Sequence, residues 1–314
     1  MTGWEPGGAQ SCLDLVEDYR KHDRSARAAE KLQFDRVGER DVYNITAPFM
    51  DEGVPVIAGR VERRDSEDSE VWFFVREGER WVPLAGAPVY GLQDPFVTRI
   101  GGELIFGGVE TYPHPVTPGA LGWRTVFYRG ANLAGLDLFF KGPDQMKDLR
   151  LVELVDGSIG VFTRPQGEKG GRGKIGFTRL ESLKELTLHA VEDAPLLNQF
   201  RDEEWGGSNE IHRLANGTLG VLGHIARFDE RGDRHYYPMV FALDPGSGRY
   251  SKMRIIAERS DFLAGPAKRS DLTDVVFSGG LIRRGDGTAE LYAGISDADA
   301  QKLMIPDPFL ALER

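Results

Sequence analysis

The sequence predicts an all-β fold, a five-bladed β-propeller with a short N-terminal helical extension. Three observations predict it. Strand–turn–strand units recur along the chain, the later ones with a Gly-Gly, Asp-Gly or Asn-Gly turn of the kind hairpins use. Each unit opens on a polar residue: Asn44, Asp94, Asp148, Glu210 and Asp274. Those residues are separated by 50, 54, 62 and 64 residues, roughly the spacing of four-stranded blades around a channel. A two-sheet sandwich would leave the repeated polar lead-in unexplained. In a propeller the innermost strands start near the axis, so the five residues line one funnel.

The elements follow in order. Residues 1–10 are rich in Gly and Pro. Ser11 caps a helix running through Leu13, Leu15, Val16 and Tyr19 towards Ala29, which places the extension at 1–35 and the propeller at 36–314. Residues 41–49, 56–62 and 71–75 read as strands, and the acidic run 65–70 as a solvated turn. The second unit, 91–109, organises the chain. Pro95 has no amide donor and a fixed φ, so it belongs at a strand entrance, and Asp94 then sits at the mouth of a β-unit. Strand 123–128 follows, then strand–turn–strand units at 147–165, 207–224 and 274–297.

Composition narrows the function. The 314 residues carry a net charge of −10, which argues against nucleic acid or an anionic membrane as a partner. A single cysteine, Cys12, excludes an internal disulfide framework. The lack of a long apolar run fits a soluble, cytoplasmic protein. Six histidines show no metal-ligand spacing, so no metal is expected. Gly171-Arg-Gly-Lys-Ile-Gly176 has the letters of a dinucleotide fingerprint but neither the preceding strand nor the following helix, and reads as a hairpin loop.

The units resemble, in order, the blades of the family-130 glycoside hydrolases, the β-mannoside phosphorylases and mannosidases. Asp94-Pro95 is similar to the blade-two motif that carries the catalytic aspartate. Lys147-Asp148 with Thr163-Arg-Pro165 resembles the blade-three pair. Val276-Phe-Ser-Gly-Gly280 with Tyr292-Ala-Gly-Ile-Ser-Asp297 resembles the fifth-blade signature. The Asn44-Ile-Thr-Ala-Pro and Gly-His-Ile-Ala patterns look more like a side branch, the β-1,2-mannosyl transferases and phosphorylases of glycosyltransferase family 108. The glycine-proline run of blade four is replaced here by Gly207-Ser-Asn-Glu210.

This resemblance implies an inverting β-mannoside phosphorylase or mannosyltransferase, acting on β-1,2-linked mannose with Asp94 as general acid. Its partners would be a mannose-containing oligosaccharide and inorganic phosphate, or mannose 1-phosphate in synthesis. No other cofactor is implied, and a homo-oligomer stays open. Phosphorolysis needs no base, because phosphate is itself the nucleophile, but it needs cations to hold the anion. Lys147, Arg164, Lys174 and His224 are the candidates. Arg164 ranks first because its planar fork matches phosphate, whereas Arg150 reads as a solvated surface charge. Asn44, Arg60, Asp148, Glu210, Asp274 and Asp297 are expected to bind sugar hydroxyls, with Tyr237, or its neighbour Tyr236, stacking on a sugar face. Two alternatives remain. One is a hydrolase with Glu210 as base; the other is a non-catalytic sugar-binding propeller.

Overall fold

A computed structural model describes residues 4–22 and 27–313. Helix α1 (Cys12–Arg20) starts where Ser11 accepts the Asp14 amide and buries Cys12, Leu15, Val16 and Tyr19. Leu13 faces solvent, as the 3.6-residue period requires for its position. The helix stops at Arg20 instead of continuing towards Ala29. Residues 23–26 lie outside the described part, and strand β1 (Ala28–Lys31) pairs with the last strand of the chain. No described helix is long and apolar enough to cross a membrane.

After β1 the chain is built mainly of antiparallel strands, with a few short helical turns between them. The first sheet holds β2 (Asp41–Tyr43), β3 (Phe49–Asp51), β4 (Val54–Glu62), β5 (Glu70–Glu77) and β6 (Arg80–Pro83). The second holds β7 (Gln93–Ile100), β8 (Glu103–Pro113), β9 (Leu121–Gly130) and β10 (Asp137–Lys141). The third has β11 (Arg150–Glu153), β12 (Ile159–Thr163) and β13 (Gly176–Leu180). The fourth consists of β14 (Trp205–Arg213), β15 (Leu219–Phe228), β16 (Arg234–Leu243) and the two-residue β17 (Arg254–Ile255). Strands β18 (Asp274–Arg283), β19 (Thr288–Ile295) and β20 (Asp299–Pro306) form the fifth, completed by β1. A short parallel pairing of His235 and Tyr236 with Asp274 and Val275 links the last two groups.

One apolar core lies between each neighbouring pair. Phe73 meets Phe106 between the first and second sheets. Phe127 packs with Val161 between the second and third, and Phe162 with Phe241 between the third and fourth, where α1 covers the edge. Leu222 packs with Leu291, and Tyr292 with Phe74, to return the cycle to the first sheet. The burial of both faces explains why the strands read as near-continuous apolar runs such as Val71–Val75.

In four of the five sheets the innermost strand is interrupted; β11 of the third runs without a register shift. β2 and β3 pair with opposite ends of β4, leaving residues 44–48 between them. β7 is bulged between Gln93 and Phe96, β14 between Ser208 and Glu210, and β18 between Ser278 and Gly280. Pro95 therefore lies in a bulge near the start of β7, one of the few places a sheet admits it. Bulges re-aim side chains, and these aim several into one space.

Candidate active site

Asn44, Arg60, Asp94, Lys147, Asp148, Arg164, His224 and Asp297 all line a single cavity of about 230 Å³. They come from all five sheets, so no local stretch of sequence contains the site. Four of them, Asn44, Asp94, Asp148 and Asp297, have φ between 44° and 59°. This left-handed conformation costs most side chains energy and is best tolerated by Asn and Asp. Four such residues converging on one cavity is the pattern of strain concentrated at a functional site.

The close approach is enforced from behind by glycines. A Cβ on Gly207 would lie 2.6 Å from Asp148 Oδ2, and one on Gly294 only 2.0 Å from Asn44 Oδ1. Neither position admits a side chain without moving a residue of the site.

On one wall, Asp94 Oδ1 accepts hydrogen bonds from Asn44 Nδ2 at 2.7 Å and from Arg60 Nη1 at 3.3 Å. Arg60 also donates to Glu62 through Nε and Nη2. Burial alone would favour loss of its charge, but Asp94, Tyr43 and Glu62 raise its pKa above the ordinary arginine value. Asp297 moves the other way. Burial, with the Asp94 carboxylate adding to it against the opposing charges of Arg60, Lys268 and Lys147, pushes its pKa up to about 6.

The facing wall is cationic. Arg164, 2% exposed, donates from Nε to Gly206 O at 2.8 Å and lies 3.4 Å from Asp148 Oδ2. Its Nη1 is buried without a hydrogen-bond partner, a donor with nothing to donate to. Burial opposes ionisation of Asp148, but the charges of Arg164, Lys147 and Arg150 outweigh it and hold its pKa below the usual value. Lys147 has no ion-pair partner among the described residues. The ring of His224 stacks on Tyr236 at 5.4 Å, and its Nδ1 lies 2.9 Å from Asn209 Oδ1. Burial, together with the Arg164, Lys147 and Arg150 charges, pushes its pKa down to about 3 despite the opposing Asp148, so the ring is neutral.

Four expected residues are not brought to this cavity. Glu210 lies past the β14 bulge and lines a separate cavity of about 270 Å³ with Phe96, Arg150 and His212. Its Oε2 accepts the Leu281 amide at 2.7 Å and sits 2.7 Å from His212 Nε2. Tyr237 points to the opposite face of β16 from Tyr236, as successive strand residues must; it is buried against α1 and donates to Asp274 Oδ2 at 3.1 Å. Asp274 is thereby engaged with Tyr237 and His235. Lys174 pairs with Asp202 at 3.0 Å. Arg150, in contrast, is not a surface charge. It is buried, donates to Asn209 O and Leu149 O, and lies over the Phe96 ring at 3.9 Å.

Other lining residues escaped the sequence reading. The acidic run is not simply a solvated turn: Glu67 reaches the cavity mouth, where it pairs with Lys268 at 3.0 Å and Arg269 at 3.3 Å. Gln93 precedes Asp94, and Arg234 begins β16, two residues before Tyr236, the stacking candidate that does line the cavity. The neighbour of Asp94 and the basic-aromatic start of β16 were visible signals; the Glu67 contact, formed across about 200 residues, was not. Beyond the mouth, Trp123, Arg172, Trp205 and Phe228 join these residues around a wider space of about 570 Å³. The 171–175 stretch lies in the connection between antiparallel strands β12 and β13, and a Cβ on Gly173 would lie 2.6 Å from Arg164 Nε, so the loop backs the guanidinium. Among the described residues no cluster of His, Cys, Asp and Glu could hold a metal ion.

Residues 18–311 match the family described as "Protein of unknown function (DUF1861)". No curated protein matches the sequence. Among solved structures, the chain is similar to MPT-4, a mannose phosphorylase from Leishmania mexicana solved with phosphate ion. The two share 34% identity over 96% of this chain and 95% of that one, with a TM-score of 0.88. It is also similar to MPT-1, a GDP-Man-dependent mannosyltransferase from the same organism, at 31% identity, 95% of each chain and a TM-score of 0.84. The β-1,2-mannobiose phosphorylase of Listeria innocua shares the fold at 15% identity, 94% and 95% coverage and a TM-score of 0.62. The chain is a member of the DUF1861 family, and its relatives are the mannoside phosphorylases and mannosyltransferases that the order of its motifs resembles.

Proposed function

We propose that this protein is an inverting β-mannoside phosphorylase that also runs in the synthetic direction, and that its closed cycle of five sheets is a five-bladed propeller. One observation carries the reading. A carboxylate, Asp94, held by Asn44 and Arg60, faces a buried cationic wall in which Arg164 keeps an unused donor.

In this reading the mannosyl unit lies between the two walls. A phosphate oxygen, gripped by Arg164, Lys147 and His224, attacks the anomeric carbon from the face opposite the leaving oxygen. The glycosidic C–O bond breaks, its electron pair goes to the leaving oxygen, and the proton of Asp94 reaches that oxygen through a sugar hydroxyl. The configuration inverts, and no base is needed. In synthesis the acceptor hydroxyl gives its proton back to Asp94 and mannose 1-phosphate loses phosphate. Asp148, Asp297 and Asn44 read the sugar hydroxyls, and the wider outer space with Trp123 and Trp205 accepts the rest of the chain. The β-1,2 linkage rests on the resemblance of the motifs.

Glu210 faces the other cavity, so this geometry lends no support to a hydrolase that uses it as base. The test is incubation with mannose 1-phosphate and a panel of mannosides, measuring released phosphate, beside a parallel incubation with GDP-mannose, measuring GDP. Phosphate release with chain extension is expected. Release of GDP alone would replace the phosphorylase by a nucleotide-sugar transferase, and no turnover with either donor would leave a sugar-binding protein.

A further inference from the structure

Asn209 is 2% exposed and sits in the β14 bulge, behind the cavity wall that carries His224. Its amide oxygen lies 2.9 Å from His224 Nδ1 and 3.3 Å from Ser278 Oγ. Ser278 Oγ is also 2.8 Å from Gly223 O. A hydroxyl has one proton, and the shorter contact to Gly223 O takes it. Ser278 then turns a lone pair towards the Asn209 amide.

An amide can present either end to its neighbours. With the oxygen turned to His224, Asn209 Nδ2 is buried with no partner. With the amide turned over, its two N–H groups serve the Nδ1 lone pair and Ser278 Oγ together. An orphaned buried N–H is rarer and costlier than an under-used carbonyl, so the second arrangement is preferred. It leaves Nδ1 without a proton and puts the proton on Nε2. That atom faces Asp148 Oδ2 at 3.9 Å, too long for a hydrogen bond, and Asp148 Oδ2 itself has no hydrogen-bond partner. Tyr236 and Phe277 pack against the ring and fix its plane.

We infer that Asn209 is a positioning residue: it holds His224 as the Nε2–H tautomer, so that a neutral imidazole donates a hydrogen bond to phosphate in the cavity. The role assigned to the donor rests on the phosphorylase reading. A neutral donor suits a site that already holds Arg164 and Lys147, with the buried Arg150 guanidinium bonded to Asn209 O beside it, where a further positive charge would be repelled.

Nitrogen NMR of the full chain labelled at histidine tests the inference, with His224→Gln identifying the resonances. The expected spectrum is a neutral Nε2–H ring throughout about pH 5 to 8. Asn209→Asp offers only acceptors and should switch the ring to Nδ1–H, raising the KM for phosphate about ten- to a hundredfold while kcat changes little. Asn209→Leu removes the bond without adding charge; it should give mixed tautomers and a smaller rise in the same KM. A wild-type ring protonated at Nδ1, or on both nitrogens, would overturn the inference even if no variant folds. So would an Asn209→Asp protein that keeps Nε2–H and the wild-type KM, or one whose kcat and KM values shift together with the tautomer unchanged. The spectrum needs no turnover, so a protein that ignores phosphate would retire the phosphorylase reading separately from the tautomer.

Discussion

Asn44 Nδ2 donates to Asp94 Oδ1 at 2.7 Å, joining the inner edges of the first two sheets across 50 residues of sequence. Both residues are in the left-handed conformation, and among the described residues the same oxygen accepts one further hydrogen bond, from Arg60 Nη1 at 3.3 Å. The remaining oxygen of Asp94 is thus the one turned to substrate in the proposed reaction.

Asp94→Asn is expected to lower turnover by about 10²–10⁴-fold, the usual contribution of a general acid. Asn is as tolerant of a φ of 49° as Asp, so the variant should still fold and bind mannosides, melting somewhat below wild type because buried Arg60 keeps Glu62 but loses a charged partner. Near-native turnover in a folded Asp94→Asn protein would remove Asp94 from the acid role.

Arg164→Lys should raise the KM for phosphate about ten- to a hundredfold, the loss of roughly 1.5–3 kcal/mol from one charge-assisted hydrogen bond. Lysine keeps the charge but cannot both hold Gly206 O and aim a second donor into the cavity. Initial rates with phosphate varied, for the two proteins side by side, measure this. Equal apparent phosphate affinity would show that Arg164 serves only to brace Gly206.

Glu210→Gln separates the phosphorylase from the Glu210-dependent hydrolase. The side chain caps the Leu281 amide on the far side of the bulge, so the substitution should cost about 1 kcal/mol of stability or less and leave kcat within a few-fold. A loss of several orders of magnitude in kcat would mean that Glu210 reaches the reaction centre.

Asp297→Asn should stabilise the protein in a pH-dependent way. The native carboxyl pKa, about 6, is raised from 3.8, so the native state holds this proton more tightly than the unfolded chain. Stability from Asp297 is therefore full below about pH 4 and lost as pH rises through 6. At 1.36 kcal/mol per pKa unit the loss approaches about 3 kcal/mol, reduced by whatever solvent reaches the partly buried group. Wild type and variant should melt together at low pH and diverge between pH 4 and 6, with the variant the more stable above. Parallel melting curves across that range would show that Asp297 is not perturbed.

The sequence alone determined the recurrent units and their order, and the resemblance of its motifs named most of the residues that meet in the cavity. Alternation, turn pairs and an Asp-Pro at a strand entrance are local features, dictated by φ restrictions and the two-residue period of a strand, so they can be read in a single chain. The tertiary structure decided which side of an inner strand each polar residue serves. Glu210 and Asn209 are adjacent, yet a one-residue bulge in β14 sends Glu210 to the far cavity and sets Asn209 behind His224. Tyr236 and Tyr237 differ by the same single step. Glu67 and Arg269, about 200 residues apart, meet only because the fifth sheet returns to the first. A register shift of one residue reverses every direction a side chain takes, and bulges and ring closure depend on packing between sheets, which leaves no periodic mark in the sequence.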